Sequence, residues 1–417
     1  MKSLDYLLVG GGLAAMKAAT RIRDLDPKGS MLLVGEEPHA PYDRPPLSKE
    51  LLRGEVRPKD IVCERRWFYL RRRIKMRTGA RVVEFRMDAN PEAARPHVAR
   101  LSDGKQVAFR KALLATGGSP RRLEGVPGSK LAGVYVLRTV DHAQRIAARA
   151  RQGAHAVVVG AGFIGLELAA SLRQLGCEVT VLEQQPRVWA GFAPPEVSDY
   201  IERYLSEKGI GFRKEASLAA FHGTGEVSSV RTSGGEDLSC DFVCVCTGIE
   251  PRTELARSAG VDVDDGVVTD AQLRSSHADL YAAGDIAAVP DPYFNRRRRV
   301  EHYGQAEYTG LLAGENMTGG DRSYDLLSYL WSDMFDLHFE FAGDEHDYDE
   351  MVIRGDIEQN RALLLFLKEQ RLSAYLGINA AEADFGPLQM VIKRGVDLSG
   401  ARDQLTDPEF PLPKLLQ

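Results

Sequence analysis

The chain opens on a short apolar run, Leu7-Leu8-Val9, that stops at Gly10, Gly11 and Gly12. A brief continuous apolar run ended by glycine predicts a strand buried on both faces. Small and apolar residues then recur at helical spacing until Pro27 and Gly29 end the helix. A second strand, MLLVG, leads to Glu36. The same succession returns at Val157-Val158-Val159. Gly160, Gly162 and Gly165 form the turn, a helix closes at Gly176, and the strand EVTVLE ends at Glu183. Farther on, FVCVC alternates as a core strand would. After residue 327, HFEFAG, EMVIRG and RALLLFLK are strand-like patches separated by acidic or glycine-containing turns.

Both glycine turns have a chemical reading. Gly10 permits the tight turn, Gly12 leaves room for a pyrophosphate, and Ala15 lets the helix pack close to the strand. Amides at the helix start attract the anion, and Glu36 accepts hydrogen bonds from ribose hydroxyls. Gly160, Gly162, Gly165 and Glu183 repeat the arrangement. Two dinucleotide sites in one chain imply electron transfer between two dinucleotides. A carboxylate at Glu183 pairs with a free 2′-hydroxyl and repels a 2′-phosphate, and Gln184 and Gln185 follow it, so NADH is favoured over NADPH.

The 417 residues suggest two or three domains, and 44% hydrophobic with 27% charged residues is an ordinary globular composition. The net charge of −5 does not suggest a nucleic-acid binder. That total hides a split. Residues 326–417 carry 8 Lys/Arg against 17 Asp/Glu, a net of −9, and the remainder carries +4. The five cysteines form no C-x-x-C pair, and Cys244 and Cys246 read as core residues. No apolar run approaches ~18 residues, so no membrane span is expected. The chain enters a strand almost at once, leaving no room for a signal peptide, and a cytoplasmic setting follows. The acidic stretch GDEHDYDE reads as an exposed turn, with no metal site expected.

Several further motifs resemble those of the FAD-dependent NADH:ferredoxin reductases that serve oxygenases and cytochrome P450s. These are PYDRPPLSKELLRG, LLATGGSPRRL, VCTGIEPRTELARSAG, LYAAGDIAAVP and RRRRVEHYGQAEYTGLLAGENMTG. The resemblance spans essentially the whole chain. It implies two Rossmann-like α/β domains of the glutathione-reductase type, for FAD and NAD, plus a small α+β C-terminal domain. The FAD domain would be discontinuous (1–115 and 248–327), with the NAD domain inserted (116–247) and the last domain over 328–417. It further implies that Arg44 contacts FAD and that Lys49 lies beside the isoalloxazine, where Glu167 approaches it. Ala115, Thr116 and Gly117 would mark the exit from the FAD domain and Gly248 the return. Gly284 and Asp285 would meet the ribityl chain, and Glu301, His302 and Tyr303 the ring. Catalytic roles would fall to Lys49, Glu167, His302 and Tyr303.

The implied activity is hydride transfer from NADH to FAD, then single-electron transfer to an iron–sulfur ferredoxin. Disulfide reductases of this superfamily carry a C-x-x-x-x-C pair, and other members one cysteine near residue 42. PYDRPPLSK contains no cysteine and Cys63 falls outside both patterns, so thiol chemistry is not expected. An acidic ferredoxin needs a basic face, for which Arg65, Arg66, Arg71–Arg73 and Arg296–Arg299 are candidates. Glu301-His302 and GENMTG also resemble the apoptosis-inducing-factor flavoproteins locally. The alternative is therefore a redox-responsive protein with slow NADH oxidation and a stable charge-transfer complex. An NADH oxidase using dioxygen is a third reading. The charge split leaves a homodimer open.

Overall fold

A computed structural model describes residues 3–88, 97–344 and 346–417. In chain order, β1 (Leu4–Val9) and α1 (Leu13–Leu25) flank the first glycine turn, and the short α2 (Arg66–Arg71) follows the Pro-rich segment. β2 (His155–Val159) and α3 (Phe163–Gln174) flank the second turn. α4 (Tyr303–Met317) precedes the tail, which opens on β3 (Tyr329–Met334) and β4 (Leu337–Gly343). The chain divides into two compact units. Unit 1 is Met1–Asp43, Lys59–Ser119 and Glu250–Ser328. Unit 2 is Arg44–Pro58, Pro120–Ile249 and Tyr329–Gln417.

In unit 1, β1 lies parallel to Met31–Val34 on one side and to Gln106–Leu114 on the other. Leu7 and Leu8 are completely buried, as a central parallel strand requires. Gln106–Leu114 also pairs in parallel with Leu280–Ala282 and in antiparallel with His97–Leu101. α1 and α4 approach through small residues. A Cβ on Gly310 would fall 2.4 Å from the Ala14 carbonyl oxygen, and one on Gly314 2.7 Å from that of Ala18. Helix backbones this close exclude any larger residue at those two positions.

Unit 2 is built on a parallel sheet in the order Ile210–Arg213, Glu178–Leu182, β2, Phe242–Val245, Val134–Val136. Cys244 is fully buried there, as expected, but the strand is buried at every position and Cys246, just beyond it, is only partly buried. The tail forms an antiparallel sheet in the order β3, β4, Arg371–Ile378, Arg361–Lys368, Glu350–Asp356, with the helix Glu382–Arg394 closed by left-handed Gly395. The buried Arg354 guanidinium donates to the carbonyls of Gln404, Pro408 and Phe410 and so pins the C-terminal segment.

Two features differ from the boundaries expected from sequence. The tail shares one hydrophobic core with the inserted segment. Trp189 packs edge-on against Phe339 at 5.0 Å and Phe192 against Phe341 at 4.8 Å between ring centroids. Residues 44–58, expected within 1–115, also belong to unit 2. Leu52 is buried in that core, Arg53 donates to Ser171 Oγ at 3.1 Å, and Ser171 Oγ donates to the Ser48 carbonyl at 2.6 Å.

Candidate functional site

The two glycine turns are built alike. Gly10 has φ of +141°, and a Cβ there would fall 2.0 Å from the Ala115 carbonyl oxygen. Gly160 has φ of +104°, and its Cβ would fall 2.6 Å from the Cys246 carbonyl oxygen. In each unit the strand before the turn has its two parallel neighbours on opposite sides, so the turn sits at the switch point where α/β sheets bind ligands. Gly165 is equally constrained, its Cβ falling 2.0 Å from the Gly160 carbonyl oxygen. Gly12 and Gly162 are the opposite case: nothing lies within 4 Å of a Cβ at either. Both are N-caps, of α1 and α3, and neither helix start is capped by a side chain. Uncapped amides beside open space form an anion site. Ala15 is fully buried in the core that holds β1.

The acids that follow the two turns differ. Glu36 is half-exposed and ion-pairs with Arg252 at 2.5 Å and with Arg81 at 3.7 Å. Glu183 is buried. One of its oxygens accepts from the Ala161 amide at 2.6 Å and the other from the Gln185 amide at 2.8 Å. It therefore braces the glycine turn directly, and any ribose hydroxyl would bind to its remaining lone pairs.

The Ala115–Gly117 turn is fixed within unit 1. The Ala115 amide donates to the Val9 carbonyl at 2.8 Å, Thr116 Oγ1 donates to the Arg252 carbonyl at 3.0 Å, and Gly117 has φ of +61°. Gly248 has φ of +89° and its carbonyl accepts from the Arg121 amide at 3.1 Å. Arg44 donates to the Arg138 carbonyl within unit 2. Gly284 donates its amide to Thr309 Oγ1 at 2.9 Å, and Asp285 follows on the same single 3-10 turn. His302 is the N-cap of α4 without a side-chain cap bond, and Glu301 pairs with Arg299 at 2.5 Å. Burial, then the neighbouring Asp43 carboxylate, push the Tyr303 phenol up.

Among the buried side-chain polar atoms that lack a partner, two lie near the turns and helix start described above. Gln305 Nε2, near the start of α4, and Thr247 Oγ1, beyond Phe242–Val245, have no hydrogen-bond partner among the described residues. Sequence reasoning singled out neither. Buried polar atoms are normally paired, so each fits a site that a polar ligand completes. Together with the open space at Gly12 and Gly162, the residues present suit a dinucleotide in each unit.

Lys49 and Glu167 meet inside unit 2, as the resemblance implies. Lys49 Nζ lies 3.6 Å from Glu167 Oε1, and both side chains are nearly inaccessible to solvent. Three partners were not legible in the sequence. Ser48 Oγ donates to Glu167 Oε2 at 2.5 Å, and Ser332 Oγ donates to Oε1 at 2.9 Å. Lys49 Nζ donates to Asp333 Oδ2 at 2.9 Å, and Asp333 Oδ1 lies 2.7 Å from His338 Nδ1. Burial pushes the Glu167 carboxyl up, against the pull of Lys49 and the two hydroxyls. Burial works against charge on Lys49 too, but Glu167 and Asp333 outweigh it and raise the ammonium. Asp333 is held down at about 2. Burial opposes this shift, but the His338 hydrogen bond and the Lys49 charge prevail. The same hydrogen bond raises His338.

The cysteines are all free and do not form a thiolate centre. Burial, then the adjacent Asp43, push the Cys63 thiol up, and burial pushes Cys246 up to about 12. In the acidic stretch, Glu345 lies outside the described residues. Among its neighbours, Asp347 pairs with Lys368 at 3.4 Å, and Asp349 accepts from the Glu369 amide at 3.0 Å. His97, His277 and Asp279 come close enough to suggest a metal site. However, each imidazole Nδ1 accepts a backbone amide, from Asp88 at 3.0 Å and from Asp279 at 3.2 Å. Each Nε2 then carries the proton and has no lone pair for a cation.

The chain belongs to the pyridine nucleotide-disulphide oxidoreductase family, which it matches over residues 4–310, so it is an oxidoreductase that uses NAD(H) and a flavin. Residues 329–416 match the reductase C-terminal domain. Among its relatives, the chain is 32% identical to the ferredoxin–NAD(+) reductase component of an anthranilate 1,2-dioxygenase system from Burkholderia cepacia, over 100% of both chains. Among solved structures it is similar to the ferredoxin reductase for the CYP199A2 system of Rhodopseudomonas palustris, with TM-score 0.90 and 31% identity over 98% of this chain and 99% of that one. It also resembles the covalent putidaredoxin reductase–putidaredoxin complex, with TM-score 0.92 and 27% identity over 100% and 99%. None of the three is an apoptosis-inducing factor.

Proposed function

We propose that the protein takes hydride from NADH and passes electrons singly to an iron–sulfur ferredoxin of an oxygenase or P450 system. The observation that carries this is the repeated construction of an open, uncapped glycine turn, once in each unit. Unit 1 would hold FAD through Gly10, Gly12, Ala15, Glu36, Ala115–Gly117, Gly284, Asp285 and the Glu301–Tyr303 start of α4. Unit 2 would hold NADH through Gly160, Gly162, Gly165, Glu183 and Gly248. Arg44 is kept as an FAD contact on the resemblance alone. The three-part division into FAD, NAD and C-terminal domains is retained as a functional one. The free cysteines accord with a reducing, cytoplasmic setting.

When bound, a flavin accepts hydride as an electron pair and releases it in single steps, which no side chain here can do. The residues orient and screen. The helix starts at α1 and α3 attract the two pyrophosphates. Glu167 and Asp333 keep Lys49 charged and fix the direction of its ammonium, so that a positive charge stands ready without reorganisation. The uncapped start of α4 favours negative charge on a group beside it.

NADH consumption measured with an acidic ferredoxin and in air alone tests the proposal. Ferredoxin should raise turnover at least tenfold above the rate in air. Equal rates would favour the dioxygen-using oxidase.

A further inference from the structure

The large exposed apolar side chains include one pair on a single helix face. Trp67 is 57% exposed and Leu70 68% exposed, three residues apart on α2. A tryptophan left this open is uncommon, whereas tryptophan is enriched at the centres of protein interfaces. Its surroundings are cationic. Residues 64–77 contain seven Lys/Arg and one acid, Glu64. Arg72 is engaged by Asp24 and lies over the Phe68 ring, and Arg77 is engaged by Asp103. Arg65, Arg66, Arg71 and Arg73 are exposed, and their guanidinium groups form no ion pair among the described residues.

The other arginine cluster is occupied differently. Arg297 donates to the carbonyls of Thr269 and Ala288, Arg298 pairs with Asp291, and Arg299 pairs with Asp265 and Glu301. Three of those four cations therefore serve unit 1 itself.

From this contrast we infer that the exposed face of α2 is the docking surface for an acidic iron–sulfur ferredoxin. Trp67 and Leu70 are the apolar anchor, and Arg65, Arg66, Arg71 and Arg73 are the rim. The inference rests on the function proposed above and names where its partner binds. Its size fits that partner. Two apolar side chains inside a charged rim suit the small interfaces of electron-transfer encounters and not a lasting dimer. Oxidation of NADH to NAD+ supplies two electrons and one proton; the proton goes to solvent and each ferredoxin takes one electron, so two ferredoxins must dock and leave in each turnover. Weak apolar contact with electrostatic steering allows this exchange.

Its position in unit 1 also fits. Cys63 precedes Trp67 by four residues, a chain span of at most about 14 Å. Cys63 Sγ lies 3.5 Å from Asp43 Oδ1, and Asp43 hydrogen-bonds Tyr303 at the start of α4. The patch is thus tied to the helix start assigned to the flavin ring.

The test compares the holoenzyme with Trp67→Ala, Leu70→Ser and Arg66→Glu/Arg71→Glu variants, using an acidic ferredoxin and, separately, ferricyanide. Each apolar variant should raise the ferredoxin KM at least fivefold. The double charge reversal should raise it at least tenfold and flatten its rise with salt. Ferricyanide turnover should stay within twofold, which also reports that the variants are folded. Ile353→Ser, an exposed apolar residue of the tail sheet, serves as the control and should change neither. Unchanged ferredoxin KM values with an active wild type would overturn the docking surface alone. A wild type that reduces ferricyanide but not ferredoxin would overturn the proposed function. A salt-sensitive dimer lost in the charge reversal, with ferredoxin kinetics unchanged, would assign the patch to a second copy of the chain and overturn the inference.

Discussion

Lys49 donates to Asp333 at 2.9 Å, a closer approach than the 3.6 Å between Lys49 and Glu167. The lysine that the Pro-rich motif supplies is therefore held from two sides, by a helix acid and by an acid on the first strand of the tail. Ser48 and Ser332 bind the Glu167 oxygens. The tail thus contributes both a hydroxyl and a carboxylate to the buried polar cluster around Lys49.

Replacing Asp333 with Asn removes the charge of the closer partner but keeps the shape. A hydrogen bond to a charged group contributes about 1.5–3 kcal/mol, so flavin reduction by NADH should slow roughly tenfold or more. The FAD content, read from the visible spectrum, should stay at the wild-type level. Unchanged reduction would mean that Lys49 is positioned by Glu167 alone.

Glu167→Ala should be worse for stability than Asp333→Asn. It leaves the buried ammonium with Asp333 alone and strands the Ser48 and Ser332 hydroxyls, and breaking a buried pair costs about 3–5 kcal/mol. A lower melting temperature and slower hydride transfer are expected without loss of FAD. Glu167→Gln should recover much of the stability and little of the rate, which separates charge from packing.

His338 predicts a pH dependence with a definite sign. Its folded value is raised above the ordinary imidazole value by the bond to Asp333, so its contribution is full below about 6.5 and fades as pH rises through the raised value. Asp333 is depressed to about 2, so its contribution holds above the ordinary carboxylate range and is lost only as pH falls towards that value. Stability should therefore decline gently as pH rises above the ordinary imidazole value, by at most about 1 kcal/mol for a half-exposed pair. Thermal melts of His338→Gln should lack that decline.

Gly165→Ala places a methyl group where the Gly160 carbonyl oxygen already stands. NADH affinity should fall at least tenfold while the flavin spectrum persists. Glu183 makes a paired prediction. Its carboxylate braces Ala161, so Glu183→Ala should weaken NADH binding, and the wild type should use NADH well ahead of NADPH. A wild-type preference for NADPH would contradict the role given to Glu183.

The parts of the fold legible in the sequence were those set by local chemistry. Leu7-Leu8-Val9 and Val157–Val159 are central strands because a short apolar run closed by glycine has few other solutions. Three tail strands were visible as apolar patches between acidic or glycine-containing turns, in HFEFAG, EMVIRG and RALLLFLK, whereas Tyr329–Met334 and Arg371–Ile378 were not. Asp333 and His338 were not, because their pairing depends on the β3–β4 register, in which they stand directly opposite. The turn through left-handed Phe335 that sets this register carries no glycine to announce it. The placement of residues 44–58 in unit 2 was hidden as well, since Leu52 finds its core only through distant chain segments. Spacing alone suggested a ribose-binding acid at Glu183. Its burial against the turn amides is a tertiary result.

The most direct test mixes the holoenzyme with NADH anaerobically in a stopped-flow instrument and then adds oxidised acidic ferredoxin. Rapid bleaching of the flavin, followed by reoxidation that quickens with ferredoxin concentration, is the predicted result. A long-wavelength charge-transfer band that persists in air and is indifferent to ferredoxin would contradict a ferredoxin reductase and favour a redox-responsive flavoprotein.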